Sequence, residues 1–171
     1  MPNTLTKAEN FDGRILGYTR IQNDQTGVAD RSIALDTTMT VIQTEAGTDM
    51  SVAFVVPPSG NVEIESSCYI SANSITVYFA LSDNSTFNEI DESHTYDSGT
   101  WKADETDTTT LVVRWAVIGL TPGTSYTYYI AAATSTSNAY IYHGRNRGIG
   151  VHWSPLIVKA TALPATIVTG E

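Results

Sequence analysis

The chain has 171 residues with 18 acids against 9 bases, a formal charge of −9. That length suits one domain with a full core. The acidic field repels a phosphate backbone, which argues against nucleic acid as a partner. The lone cysteine, Cys68, excludes an intrachain disulfide and a cysteine-based zinc cluster. No apolar run reaches the length of a membrane-spanning helix, so no membrane insertion is expected.

Only 16% of residues are charged, so 25 Thr and 15 Ser must carry much of the polar surface. Threonine is both β-branched and polar, which suits the solvent face of a strand. The first twenty residues hold no apolar stretch of signal-peptide length. The expectation is synthesis in the cytoplasm without a secretion signal of its own.

Residues 1–36 differ from the remainder of the chain. Met1 to Asp12 is polar and unpatterned, Gly13 to Ile21 has the composition of a short strand, and Gln22 to Asp30 is again polar. Arg14, Arg20 and Arg31 fall here, and with Lys7 they make four of the nine bases. The segment reads either as an arm lying on a neighbouring subunit or as an edge strand with a frayed terminus.

From Thr38 onward strand signals recur every ten to fifteen residues, the rhythm of a sandwich or barrel. Thr40–Thr44 and Met50–Val56 come first, the second stopped by the turn Pro57-Pro58-Ser59-Gly60. Val62–Ser71 alternates, with Val62 and Ile64 on one face and Glu63 and Glu65 on the other. Ser74–Leu81 carries a period-two stripe of Ile75, Val77, Phe79 and Leu81. Ser82–Thr109 reads as a long irregular insertion with eight acids against Lys102 alone. Strands resume at Thr110–Ile118, Thr124–Ala132, Ala139–His143 and Leu156–Leu163. No long segment has an apolar stripe at helical spacing. The predicted fold is all-β: a two-sheet antiparallel sandwich, jelly-roll-like, over residues 37–171, with an extended N-terminal arm over 1–36.

Catalysis finds no support in the sequence. His94 stands beside carboxylates but at no spacing of a catalytic or zinc pattern. The acidic insertion offers oxygen ligands for Ca²⁺, yet Asp104-Glu105-Thr106-Asp107 lacks regular ligand spacing, and a solvated loop is the simpler reading. No cofactor and no resident metal are expected. The densest group of recognition-type residues runs from Tyr140 to Pro155 and includes Tyr142, His143, Arg145, Arg147, His152 and Trp153. Arginine and aromatic residues are frequent binding anchors. A protein contact, a glycan stacked on Trp153 or Tyr142, and a loop closing the end of the sandwich all remain open.

Val117-Ile118-Gly119-Leu120-Thr121-Pro122-Gly123-Thr124-Ser125-Tyr126 resembles the turn and Tyr-bearing strand of fibronectin type III domains, but the acidic insertion before it departs from that family. A wider set spans Gly13 to Gly170: Leu16-Gly17-Tyr18, Gln25-Thr26-Gly27, Phe54 to Val62, Gly119 to Tyr126, and Pro155 to Pro164. In that order it resembles β-sandwich proteins of tailed-bacteriophage virions, of the tail-fibre-tip and capsid-decoration types. The resemblance implies a virion protein, a homotrimer, whose partner is the major capsid protein or another virion protein. No shaft precedes the sandwich, so a capsid decoration (cement) protein fits better than a fibre. The alternative is a receptor-binding fibre tip recognising a host-surface glycan or protein. On the first reading Arg14, Tyr18, Arg20 and Arg31 meet the capsid. On the second, the Tyr140–Ser154 region meets the host. Trp115, Tyr126, Tyr128 and Trp153 are candidates for the core or a subunit interface.

Overall fold

A computed structural model describes residues 13–22, 32–87, 101–102, 106–136, 139–143 and 153–167. Its strands are β1 (Ile15–Ile21), β2 (Ser32–Leu35), β3 (Thr40–Val41), β4 (Ser51–Val55), β5 (Val62–Asn73), β6 (Thr76–Ser82), β7 (Trp101–Lys102), β8 (Thr106–Val117), β9 (Ser125–Thr134), β10 (Ala139–Tyr142) and β11 (Leu156–Ala162). Among the described residues there is no helix. All strand pairings there are antiparallel, in two sheets, so the predicted all-β sandwich is what the chain forms.

The six-stranded sheet is organised around β5. Its alternation is strict: Val62, Ile64, Ser66, Cys68, Ile70 and Ala72 are buried, and Glu63, Glu65, Ser67, Tyr69 and Ser71 lie on the outer face. One edge of β5 pairs along its whole length with β8, from Val62 opposite Val117 to Asn73 opposite Thr106. The other edge pairs first with β11 and then with β10, which carry β1 and β2 on their far sides. The five-stranded sheet is organised around β9. One edge of β9 pairs with β6, and the other is shared by β4 and β3. Between β3 and β4 the chain loops out through the Gln43–Asp49 bridge, and Ile42, Met50 and Ile130 tie its base together.

Core side chains come from both sheets. Trp115, Ile64, Ile70, Ile141, Leu156 and Val158 face Val52, Phe54, Val77, Phe79 and Ile130, all nearly without solvent contact. Asn61 staples one end of the sandwich. Its Nδ2 donates to the Pro164 carbonyl at 2.9 Å, and its Oδ1 accepts from the Gly119 N–H at 3.2 Å, joining three turns around one buried amide. Tyr128 is wedged beside Phe54 and Tyr126, and burial, then the negative charges of Tyr126 and Asp83, push its hydroxyl up to about 12.

Residues 15–21, read from sequence as a short strand, form β1 of the six-stranded sheet, residues 32–35 form its β2, and Leu16 and Ile21 pack on its core. β2 has no sequence signal, because four residues with one strong apolar contact give no periodicity. The end of the acidic insertion is also strand: Thr106–Thr109 belongs to β8 and Trp101–Lys102 forms β7. The length of β5 extends β8 into a stretch that carries no apolar stripe of its own.

Cys68 is buried on the inner face of β5, and burial pushes its thiol up to about 12. The thiolate is the reactive form. A disulfide reagent at pH 8 should therefore label no thiol in the folded protein and one per chain after unfolding; fast labelling of the folded state would contradict this placement.

Candidate partner-binding face

In an antiparallel pair, directly opposed residues share a face, so the registers define what the outer surface of the six-stranded sheet displays. One row crosses four strands: Tyr18, Lys159, Glu65 and Arg114. Glu65 sits between two cations, accepting from Arg114 Nε at 2.8 Å and from Lys159 Nζ at 3.0 Å. Burial pushes its carboxyl up, but the hydrogen bonds and charges of Lys159 and Arg114 together outweigh this and hold it below the ordinary carboxylate value. The next row is Arg20, Ile157, Ser67 and Val112, and beyond it come Thr110, Tyr69, Tyr142 and Ser32.

The third row begins an aromatic cluster. Trp153 stacks on Tyr69 with ring centroids 4.6 Å apart and tilts against Tyr142 at 5.0 Å. Tyr69 meets Tyr142 edge-on at 6.3 Å, and Tyr140 lies 6.4 Å from Tyr142. The Trp153 indole N–H is buried with no hydrogen-bond partner among the described residues, so this ring is held by packing. Gln22 ties the end of β1 to the cluster by donating to the Trp153 carbonyl at 3.4 Å.

Exposed apolar surface also concentrates here. Tyr18 is 53% exposed, Val112 48% and Tyr140 39%, all on this face. Ile15 and Val55 instead flank a shallow groove of about 430 Å³ where β1 passes β4, lined also by Arg14, Leu16, Pro57 and Pro58. Tyr78 is exposed on the other sheet. A face with aromatic rings at one end and a Lys–Glu–Arg row at the other can dock a protein surface or stack a sugar ring. Among the described residues, no group of three or more His, Cys, Asp or Glu could hold a metal ion.

The depressed Glu65 carboxyl predicts a pH effect. A carboxylate held below its unfolded value stabilises the fold above that value and loses the contribution as pH falls through its folded one. Thermal midpoints should therefore drop on going below about pH 4.5, and part of that drop should vanish in Glu65→Gln. An identical acid profile for the variant would contradict the pairing.

The residues singled out from sequence fare differently. Tyr18 and Arg20 lie on this face, Arg20 donating to Gln22, and Arg14 lines the groove beside it. Tyr142 and Trp153 come together in the cluster. His143 is only 3% exposed and presents no surface to a partner. Arg31, Arg145, Arg147 and His152 lie outside the described residues, as do His94, Asp104 and Glu105. Trp115 and Tyr128 are core residues, and Tyr126 packs against that core. Sequence reasoning missed Tyr69, Glu65, Lys159 and Arg114 as parts of the face. The alternation of Glu63 and Glu65, carried two steps further, places Tyr69 there.

No family model matches the chain, and no curated protein matches it. Among solved structures, one match is to the CBM22-1–GH10 modules of Clostridium thermocellum endo-1,4-β-D-xylanase 10B, crystallised with xylohexaose. Identity is 16% over 89% of this chain and 30% of that one, with a TM-score of 0.33. The chain thus spans under a third of that protein, and the likeness is too distant to carry an argument about ligand or activity.

Proposed function

We propose that this chain is a non-catalytic bacteriophage virion protein, a capsid decoration protein that docks through the outer face of its six-stranded sheet. The observation that supports the reading is the gathering of Tyr18, Tyr140 and the Tyr69–Tyr142–Trp153 cluster on one open face, beside the Lys159–Glu65–Arg114 row. Large amphipathic rings supply contact area with little conformational entropy to lose. A protein that binds the assembled shell and not its separated subunits stabilises the shell by mass action. The resemblance to tailed-phage virion sandwiches supplies the partner: the major capsid protein or another virion protein.

The partial exposure of Tyr140 at the rim of the cluster favours a second reading, a fibre tip that stacks a host-surface glycan. Binding of the purified full chain to expanded, undecorated capsids and to host cells separates the two. Saturable capsid binding supports decoration. Binding to cells alone, weakened by Trp153→Ala, overturns it in favour of receptor recognition.

A further inference from the structure

We infer that β8 is an association edge that accepts β8 of a second copy of this chain, antiparallel, about a two-fold axis near Val112. This pairing draws on backbone hydrogen bonding and is independent of the virion reading.

Twelve residues of β8 pair one-for-one with β5, without a bulge. Among the described residues no strand pairs with its other side. In an antiparallel strand, alternate residues direct their N–H and C=O groups to opposite sides. The open side of β8 therefore presents a straight row of donors and acceptors, and another extended backbone at strand spacing is its natural complement.

Edges that are to stay unpaired carry guards: lysine, proline, a bulge, or an inward-pointing charge. From Thr108 to Val117, β8 has no lysine, proline or bulge. Asp107 precedes that stretch at a register position opposite the buried Ala72. Arg114, the one charge from Thr108 to Val117, lies on the outer face in an ion pair with Glu65. The edge strand β1 of the same sheet is built otherwise, with a register shift between Ile15 and Gly17. The residues of β8 itself are Thr- and Val-rich, the composition that pairs well across strands.

The sequence of β8 also suits itself as a partner. With Val112 opposite its own copy, Arg114 falls opposite Thr110 and Ala116 opposite Thr108, so no like charges meet. The two Val112 side chains, each 48% exposed in the single chain, cover one another. The two outer faces become one continuous surface, which gives a pair of docking faces to any repetitive partner. Each copy carries a charge of −9, so long-range repulsion opposes the pairing and salt should strengthen it.

The test is sedimentation equilibrium of the full chain at low and at physiological salt, together with amide exchange along β8. The expected mass is twice the 18.5 kDa chain mass, with tighter association at the higher salt. Val112→Lys should weaken association at least about tenfold, because it adds an edge guard at an exposed site, while leaving the thermal midpoint unchanged at concentrations where both proteins are single chains. Successive amides from Thr108 to Val117 should all be protected in the pair, and alternate ones only in Val112→Lys. A single-chain mass at all concentrations, a threefold mass, an assembly indifferent to Val112→Lys, or alternating protection within the assembly overturns the inference.

Discussion

Replacing Gly17 by alanine should destabilise the fold by about 3 kcal/mol, at the upper end of what one added methyl costs in a packed site. β1 crosses β4 at this residue. A methyl here would fall on the Ala53 carbonyl oxygen and 2.9 Å from Val52 Cγ2. Backbone cannot swing away as a flexible side chain can, so β1 must shift and strain its pairing with β11. Gly119 provides the contrast. Its φ of +75° disfavours a side chain, but nothing lies within 4 Å of a methyl built there, so Gly119→Ala should cost only about 1 kcal/mol. Urea unfolding of both variants gives the comparison. Equal losses would contradict the steric account of Gly17.

Trp115→Ala should be the most damaging core substitution, at about 3–5 kcal/mol. Trp115 is 1% exposed and its ring, carried on β8, packs at the centre of the core between the sheets. Its indole N–H is buried with no hydrogen-bond partner among the described residues. An unsatisfied buried donor is a standing cost. Trp115→Phe removes that donor together with part of the ring, so it should lose less than half of what alanine loses. A phenylalanine variant as unstable as the alanine one would contradict a standing cost of the buried N–H.

Legibility in the sequence tracks burial. β5, β6 and β9 are readable because each places apolar side chains on one face against the opposite sheet, and the period of two is written in their residues. β2 and β7 are not, because they are short edge pieces whose pairing comes from β10 and β6. Thr106–Thr109 misleads for a related reason: a run of Thr and Asp has no stripe, and only the length of β5 draws it into a ladder. The candidate face is half legible. Tyr18, Arg20, Tyr142 and Trp153 stand out by residue type, but nothing local in the sequence reveals that Tyr69, 84 residues before Trp153, is its stacking partner. Residue type also misleads at His143, which follows β10 and is buried.

The architecture suits a protein that works by presenting a surface. Two sheets with a shared apolar core fix the register of β1, β11, β5, β8 and β10, and so which side chains share their outer face. Ion pairs tie the Glu65 row together across that face, and ring stacking ties the aromatic cluster. Contacts already made within the face reduce the ordering cost of docking.

The most direct measurement compares two single-site charge variants of exposed tyrosines for binding to undecorated capsids. Tyr18→Asp lies on the outer face of the six-stranded sheet and Tyr78→Asp on the five-stranded one, and the native side chains are 53% and 42% exposed. If docking runs through the outer face of the six-stranded sheet, Tyr18→Asp loses at least about tenfold in affinity, one desolvated contact's worth, while Tyr78→Asp binds as the unmodified chain does. Loss confined to Tyr78→Asp, or none in either variant, would contradict docking through this face.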